Sequence, residues 1–367
     1  MRIAAFTKYD REAASTRQRF LQYAPFLARA DIQIDHSPLL GNQYVRSLVT
    51  GERWSRPAVL GAYVQRIIKL LQGPKADLIW IQAELFPYLP TMFDDLVFRG
   101  RIPIVYDCDD AVHLKYNESS NRLVRLLLRG KMERLIAGAA AATCGNQLLL
   151  RFAAQYCPRT VLLPTVVDIE VYRPLPRTRK ELVIGWIGSP TNWENVRPVL
   201  PVLREICAET NAKFRAIGAG VRAERDRFPG MELVKWTERS EVSEVQKFDI
   251  GIMPLVNAPF ERGKSAYKLV QYMACAIPAI ASSVGANNSV LSNGCGILAN
   301  SLTDWSRALR TLLANENLRR ELGEHGRVRA VEHYSLQAHA PRLIALFEEV
   351  AAHDARKAQP ANPRTHL

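Results

Sequence analysis

Short runs of β-branched and aliphatic residues alternate with longer segments of helical period along nearly the whole chain. In the first half, Arg2–Phe6, Leu78–Ile81, Ile104–Tyr106, Ala140–Cys144 and Thr160–Leu163 have the length and apolar character of strands. Between them apolar residues recur at helical spacing, as in Val64, Ile67, Ile68 and Leu71 at i, i+3, i+4 and i+7. Strands that alternate with helices pair in parallel, each crossover helix covering the sheet. A second series runs through Leu182–Ile187, Lys213–Ile217, Glu232–Lys235, Ile250–Met253, Ala279–Ala281 and Gly296–Leu298. Between the series, Tyr172–Glu181 carries Pro174, Pro176 and five charges without periodic apolar residues, the composition of a linker. The pattern predicts an α/β chain with one domain at 1–172, a linker at 173–181 and a second domain at 182–335. A final amphipathic helix at 336–352 (Leu343, Ile344, Leu346, Phe347, Val350) precedes a polar tail, 353–367, expected to be disordered.

The length of 367 residues suits two such domains, and 48% apolar with 23% charged residues is ordinary globular composition. Charge adds a constraint: 49 Lys and Arg against 36 Asp and Glu leave +13, which favours an anionic partner. Basic residues are not interleaved with aromatics, so nucleic acid is not expected. Six scattered cysteines without a CxxC pair read as free thiols of a reducing compartment rather than zinc ligands. The short apolar start, Met1–Phe6, runs at once into Lys8, Asp10, Arg11 and Glu12, unlike a signal peptide, and no apolar stretch approaches the ~20 residues that span a bilayer. These features point to a cytoplasmic location.

Candidate chemistry concentrates in PFERGKSAYKLVQYMACAIPAIAS, residues 259–282, where a glycine-containing loop opens a helix directly after a predicted strand. With Lys264 as origin and about 100° per residue, Lys268 falls near 40° and Gln271 near 340°, so the three share one face, whereas Ala266, Leu269, Val270 and Met273 can bury against the sheet. Two lysines beside a helix start, at the carboxyl end of a parallel strand, form a site for an anion. The turn after Ile184–Ile187, with Gly188 and Ser189, offers free N–H groups in the same way, Thr191 or Asn192 capping the next helix. Gly218 and Gly220 read as a turn rather than a dinucleotide site. IPIVYDCDDAVH sets Asp107, Asp109, Asp110 and His113 just after a strand. An Asp-x-Asp metal site, an aspartate nucleophile and a simple helix cap are all open readings there. Asn121–Gly138 reads as one helix with Arg122, Arg125 and Arg129 on one face and Val124, Leu127, Leu128 and Leu135 on the other, which suits either a surface helix or an anionic membrane face.

The segment PFERGKSAYKLVQYMACAIPAIASSVGANN resembles the donor-binding segment of group 1 (family 4) retaining glycosyltransferases. ELVIGWIGSP, the stretch Lys235–Leu255, PTVVDIEVYRP and ASTRQRFLQYAPFL resemble further parts of that family, whereas Asn42–Leu70 does not. The resemblance implies the GT-B fold: two Rossmann-like domains facing across a cleft, with the C-terminal helix returning to the first. It implies transfer of a sugar from a nucleoside diphosphate sugar to a glycan or lipid-linked acceptor, with retention of configuration, no metal and no cofactor beyond that co-substrate. On this reading Lys264, Lys268, Gly263, Ser265, Ser189 and Arg17 hold the diphosphate, Trp236 and Thr237 wall the nucleobase pocket, and Asp109 and Glu261 are the catalytic candidates. The family commonly has two Glu eight positions apart. Gln271 stands at the second, the ribose contact, where a carboxylate would keep or tighten donor binding, and Gly263 stands at the first. Cys108 occupies the place of a family histidine. Many such enzymes sit on the inner membrane face, a role that falls to Arg122, Arg125 and Arg129. The missing Glu pair motivates an alternative: a non-catalytic relative that binds nucleotide or scaffolds polysaccharide assembly.

Overall fold

The computed structural model describes residues 1–52, 54–100, 102–176 and 181–358. Two six-stranded sheets succeed one another along the chain. The first contains β1 (Arg2–Tyr9), β2 (Gln33–Leu40), β3 (Leu78–Gln82), β4 (Ile104–Cys108), β5 (Ala141–Cys144) and β6 (Thr160–Leu162) in the order β2-β1-β3-β4-β5-β6. The second contains β7 (Val183–Ile187), β8 (Lys213–Ile217), β9 (Met231–Val234), β10 (Ile250–Met253), β11 (Ala279–Ser282) and β12 (Gly296–Ala299) in the order β12-β11-β10-β7-β8-β9. All strand pairs are parallel, so the chain is an α/β protein of two doubly wound sheets, as its alternating pattern implies. The central strands β3, β4, β5, β7 and β10 are buried along their whole length, which explains their continuous apolar runs.

Three features depart from the sequence pattern. Strand β2, QIDHSPLL, has no apolar run to announce it; it lies at the sheet edge, where Pro38 is tolerated and one face stays wet. The helix Arg56–Gln72 has the expected period but turns its other face inward: Arg66 and Leu70 are buried, whereas Val64, Ile68 and Leu71 of the expected core stripe are exposed. Arg66 is held beneath the helix by donating to the carbonyls of Thr7 and Ser37 at the ends of β1 and β2. The single helix expected over Asn121–Gly138 is two, Arg122–Leu128 and Lys131–Ala137, broken at Gly130, whose φ of +76° suits glycine.

The last helix, Leu336–Ala358, leaves the second domain and lies on the first sheet. Leu336, Ala340, Leu343, Leu346, Phe347 and Val350 pack with Ile3, Leu78 and Trp80, and the rings of Trp80 and Phe347 are 5.0 Å apart. This helix runs six residues past the expected end at 352, into the segment read as a disordered tail; residues 359–367, like 177–180 of the linker, lie outside the described residues. All six cysteines are free thiols, and all but Cys207 are buried.

The two domains touch through the carboxyl ends of their strands. Asn146 Nδ2 donates to the Gly263 carbonyl at 2.7 Å, and Ser265 Oγ to the Asp109 carbonyl at 2.6 Å. Phe260 packs on the apolar core of the first domain. A Cβ on Gly263 would lie 2.4 Å from that of Ala111, so glycine at this position serves close approach between domains rather than an unusual φ.

Candidate functional site

The site is built where β10 hands over to the short helix Pro259–Arg262 and then to the helix Tyr267–Ala274. Lys264 precedes this second helix instead of starting it, because Ala266 takes a left-handed φ of +54° and turns the chain into the helix. Such a conformation costs a non-glycine residue about 1–3 kcal/mol, and strain of this kind gathers at functional sites. No side chain caps the helix, so its first N–H groups remain free of a side-chain partner. Leu269, Val270 and Met273 are buried against the second sheet, as the wheel requires.

Lys264 and Lys268 are brought together at this helix start. Lys268 lies along the Gly188 turn at the end of β7, its Nζ 5.8 Å from the Trp186 ring, and Lys264 Nζ sits 5.1 Å from the Phe260 ring. Burial, and then the charge of Lys264, pushes the Lys268 ammonium down to about 7, against the pull of Asp110. Asp110 comes from the first domain, where the sequence shows it only as part of an acidic cluster. Its carboxyl is raised by burial while Lys264 and Lys268 draw it down and Glu261 pushes it up, so those four groups meet at the domain contact. Asp109 is pushed up to about 8 by burial, then by Asp110 and Asp107, against Arg19. Asp107 is held differently. Arg19 and the Thr143 hydroxyl both donate to its carboxylate in a fully buried cluster, which leaves it a structural role. His113 stacks on Phe152 with ring centres 3.7 Å apart and takes no part.

Beside the lysines lies a second assembly that sequence reasoning does not anticipate. Glu241 accepts hydrogen bonds from Arg17 Nη2 at 2.9 Å, Tyr172 Oη at 2.6 Å, Trp236 Nε1 at 2.7 Å and Gln271 Nε2 at 3.1 Å. Gln271 Nε2 also donates to Tyr172 Oη at 2.9 Å, and the residue is only 2% exposed. Arg17 further donates to the carbonyls of Arg11 and Glu12, with its guanidinium carbon 4.6 Å from the Trp236 ring centre. Three residues assigned separately to diphosphate, base and ribose thus share one carboxylate. No spacing rule could have found Glu241, since its partners lie as far as 224 positions away.

The remaining candidates are more peripheral. Ser189 is exposed, and its Oγ joins the Thr191 hydroxyl and the Asn192 amide, each at 2.9 Å. The segment Pro190–Asn195 is a 3₁₀ turn with Ser189 at its N-cap position, instead of a helix capped by Thr191 or Asn192. The hydroxyl of Thr237, also exposed, pairs with that of Ser240 at 2.6 Å. Arg122 and Arg129 face solvent, whereas Arg125 donates to the Ser119 carbonyl. Leu127, expected on the buried face, is exposed together with Leu123 and Leu126, the last at 78%.

Residues 181–315 match the family model described as glycosyl transferases group 1. The fold as a whole matches sucrose-phosphate synthase from Thermosynechococcus elongatus with a TM-score of 0.73 at 12% identity, covering 96% of this chain and 99% of that one. It also matches Anabaena HepE in complex with UDP and glucose (TM-score 0.69, 12% identity, 95% and 100% covered). A third match is an α,α-trehalose-phosphate synthase (UDP-forming) from Burkholderia vietnamiensis (0.64, 11%, 96% and 98%). No curated protein matches the sequence significantly. The architecture is therefore that of the GT-B glycosyltransferases. The match to the group 1 glycosyl transferase model falls on its second domain.

Because Gln271 Nε2 donates to Glu241, a carboxylate at position 271 is expected to act on folding stability as well as on the donor contact. Gln271→Glu sets two carboxyl groups against each other in a buried site, so one must be held protonated with its pKa raised above the unfolded value near 4.3. A raised carboxyl costs stability above its unfolded pKa and regains it as the pH falls. The variant is expected to lose about 2–4 kcal/mol at pH 7.5, the scale of a disrupted buried charged network. Urea denaturation should show a smaller deficit at pH 5; equal stability of variant and parent at both pH values would refute the arrangement.

Proposed function

We propose that the protein transfers a hexose from a uridine diphosphate sugar to an acceptor hydroxyl with retention of configuration. The observation that carries this reading is the pair Lys264 and Lys268 at the carboxyl ends of the second sheet, the second of them drawn down to about 7 by burial and by the charge of the first. The leaving group of such a transfer is a nucleoside diphosphate, so the main demand on the protein is to stabilise developing negative charge. Two ammonium groups and the free N–H groups of the helix start meet that demand, with Gly263 and Ser265 shaping the loop and the Ser189 turn closing the other side. The partly buried Trp236 face and Thr237 suit the nucleobase. Asp109, its carboxyl raised by burial, is proposed to hydrogen-bond a sugar or acceptor hydroxyl, and Glu261 to serve the donor sugar. Arg17 and Gln271 act through Glu241: they position the donor helix and hold the two domains together.

The UDP complex of HepE and the UDP-forming trehalose-phosphate synthase of similar fold support uridine as the base. Isothermal titration of UDP should show the Lys264→Ala, Lys268→Ala double variant weakened by at least tenfold, since each hydrogen bond to a charged group contributes about 1.5–3 kcal/mol. Unchanged affinity would remove the phosphate site. Slow release of UDP from UDP-glucose without acceptor distinguishes an enzyme from a relative that only binds nucleotide.

The acceptor is proposed to be membrane-associated. Among the described residues no helix is long and apolar enough to cross a bilayer. Exposed Leu123, Leu126 and Leu127 between Arg122 and Arg129 suit the surface of one, with about 1 kcal/mol from each arginine beside anionic lipid. The protein should sediment with phosphatidylglycerol vesicles at low salt and not with phosphatidylcholine vesicles; Arg122→Gln, Leu126→Ser, Arg129→Gln should abolish this and leave UDP affinity intact. Equal sedimentation with both lipids would overturn the membrane assignment.

A further inference from the structure

A second cationic cluster lies in the first domain, at the carboxyl ends of β1 and β3. Lys8, near the end of β1, donates to Glu84 at 2.9 Å, and Lys115 of the helix Val112–Asn117 approaches the same carboxylate at 3.3 Å. The Tyr116 hydroxyl donates to it as well. Glu84 is buried, whereas both lysines are partly open to solvent. Two ammonium groups therefore share one carboxylate, and each keeps donors to spare. Burial lowers Lys115 to about 8 against the pull of Glu84, with the charge of Lys8 adding to the drop, whereas Lys8, despite its burial, is raised by Glu84 and Tyr9.

An aromatic ring is held beside this surplus charge. Lys115 Nζ is 4.1 Å from the ring centre of Tyr88, which is 59% exposed. Tyr88 has a φ of +60°, and Ala83 in the same loop a φ of +50°, so the segment that carries Glu84 and Tyr88 is strained at both ends. The Tyr88 N–H donates to Tyr116 Oη at 3.0 Å, which fixes the loop over the cluster. The ring packs edge-on against Tyr116 at 5.8 Å and leaves its outer face open to solvent beside two ammonium groups that share one carboxylate. The helix of Lys115 begins just after Asp110 and packs against Pro259–Arg262 of the second domain, so the cluster adjoins the proposed donor site.

We propose that this cluster is the acceptor subsite and that it selects an anionic sugar, the phosphate or carboxylate lying between Lys8 and Lys115 and the sugar ring over Tyr88. The inference rests on the reading of the protein as a sugar transferase. Ligands of open parallel sheets bind at these strand ends, and a few charged groups with an apolar face are what fix a sugar acid or sugar phosphate.

The test is calorimetric titration of the full chain, saturated with UDP, with glucose 6-phosphate, glucuronate, glucose and inorganic phosphate; UDP binding alone, measured first, checks the donor site separately. At least one anionic sugar should bind ten or more times tighter than glucose, glucose 6-phosphate marking a phosphate-bearing acceptor and glucuronate a carboxylate-bearing one. Lys115→Met should erase that preference, and Tyr88→Leu should weaken the sugar ligand while leaving inorganic phosphate binding as it is. UDP affinity should be unchanged in both variants. Glucose binding as tightly as its charged relatives, absence of binding by every sugar, or wild-type selectivity in Lys115→Met would each overturn the proposal, even where UDP binds as expected.

Discussion

Glu241 is a single buried carboxylate that accepts hydrogen bonds from the first domain, from the chain just before the linker, from the loop after β9 and from the donor helix. Because it belongs to none of the residues that donate to it, it fixes the relative positions of all four. A charged acceptor with four donors is stable in a buried site; one with any donor missing is not, since the lone pairs left behind keep their full desolvation cost. The register of the helix Tyr267–Ala274 against the first domain therefore depends on this carboxylate, and with it the position of Lys268 in the helix's first turn.

That constraint explains the electrostatics around the lysines. Held closed, the domain contact brings Asp110 of one domain towards Lys264 and Lys268 of the other, and burial drives each group towards its neutral form: Lys268 falls to about 7 and the Asp110 carboxyl rises. On the proposed reading a diphosphate entering there supplies counter-charge to the two lysines, and its binding is coupled to protonation of the protein.

The sheets were legible because parallel strands buried on both faces leave continuous apolar runs, as in IGIMP and LVIGWI, whereas the edge strand β2 leaves none. Helical period located Arg56–Gln72 but not its inward face, because Arg66 buries its guanidinium on two strand-end carbonyls and so turns the apolar stripe outward. Gly130 broke a helix that periodicity alone reads as continuous. Lys264 and Lys268 could be paired from spacing, since they lie within one turn of chain. Gln271 could be aligned with the ribose position but not seen to face Glu241. Its role is set by a residue 30 positions earlier in sequence, and such contacts leave no local pattern. The exposed Tyr88 and the Lys8, Glu84 and Lys115 cluster escaped for the same reason, being gathered from two strand ends and a helix.

The proposed diphosphate lies against Lys268, whose ammonium burial draws down to about 7. Titration of UDP at pH 8 in two buffers of different ionisation enthalpy measures the protons exchanged on binding. Lys268, about 7 when free, should regain its proton beside the diphosphate, so net uptake should approach about one proton at pH 8 and decline towards pH 6, where the ammonium is already charged. Binding without proton uptake at pH 8, or with release, would contradict the placement of the diphosphate at Lys268.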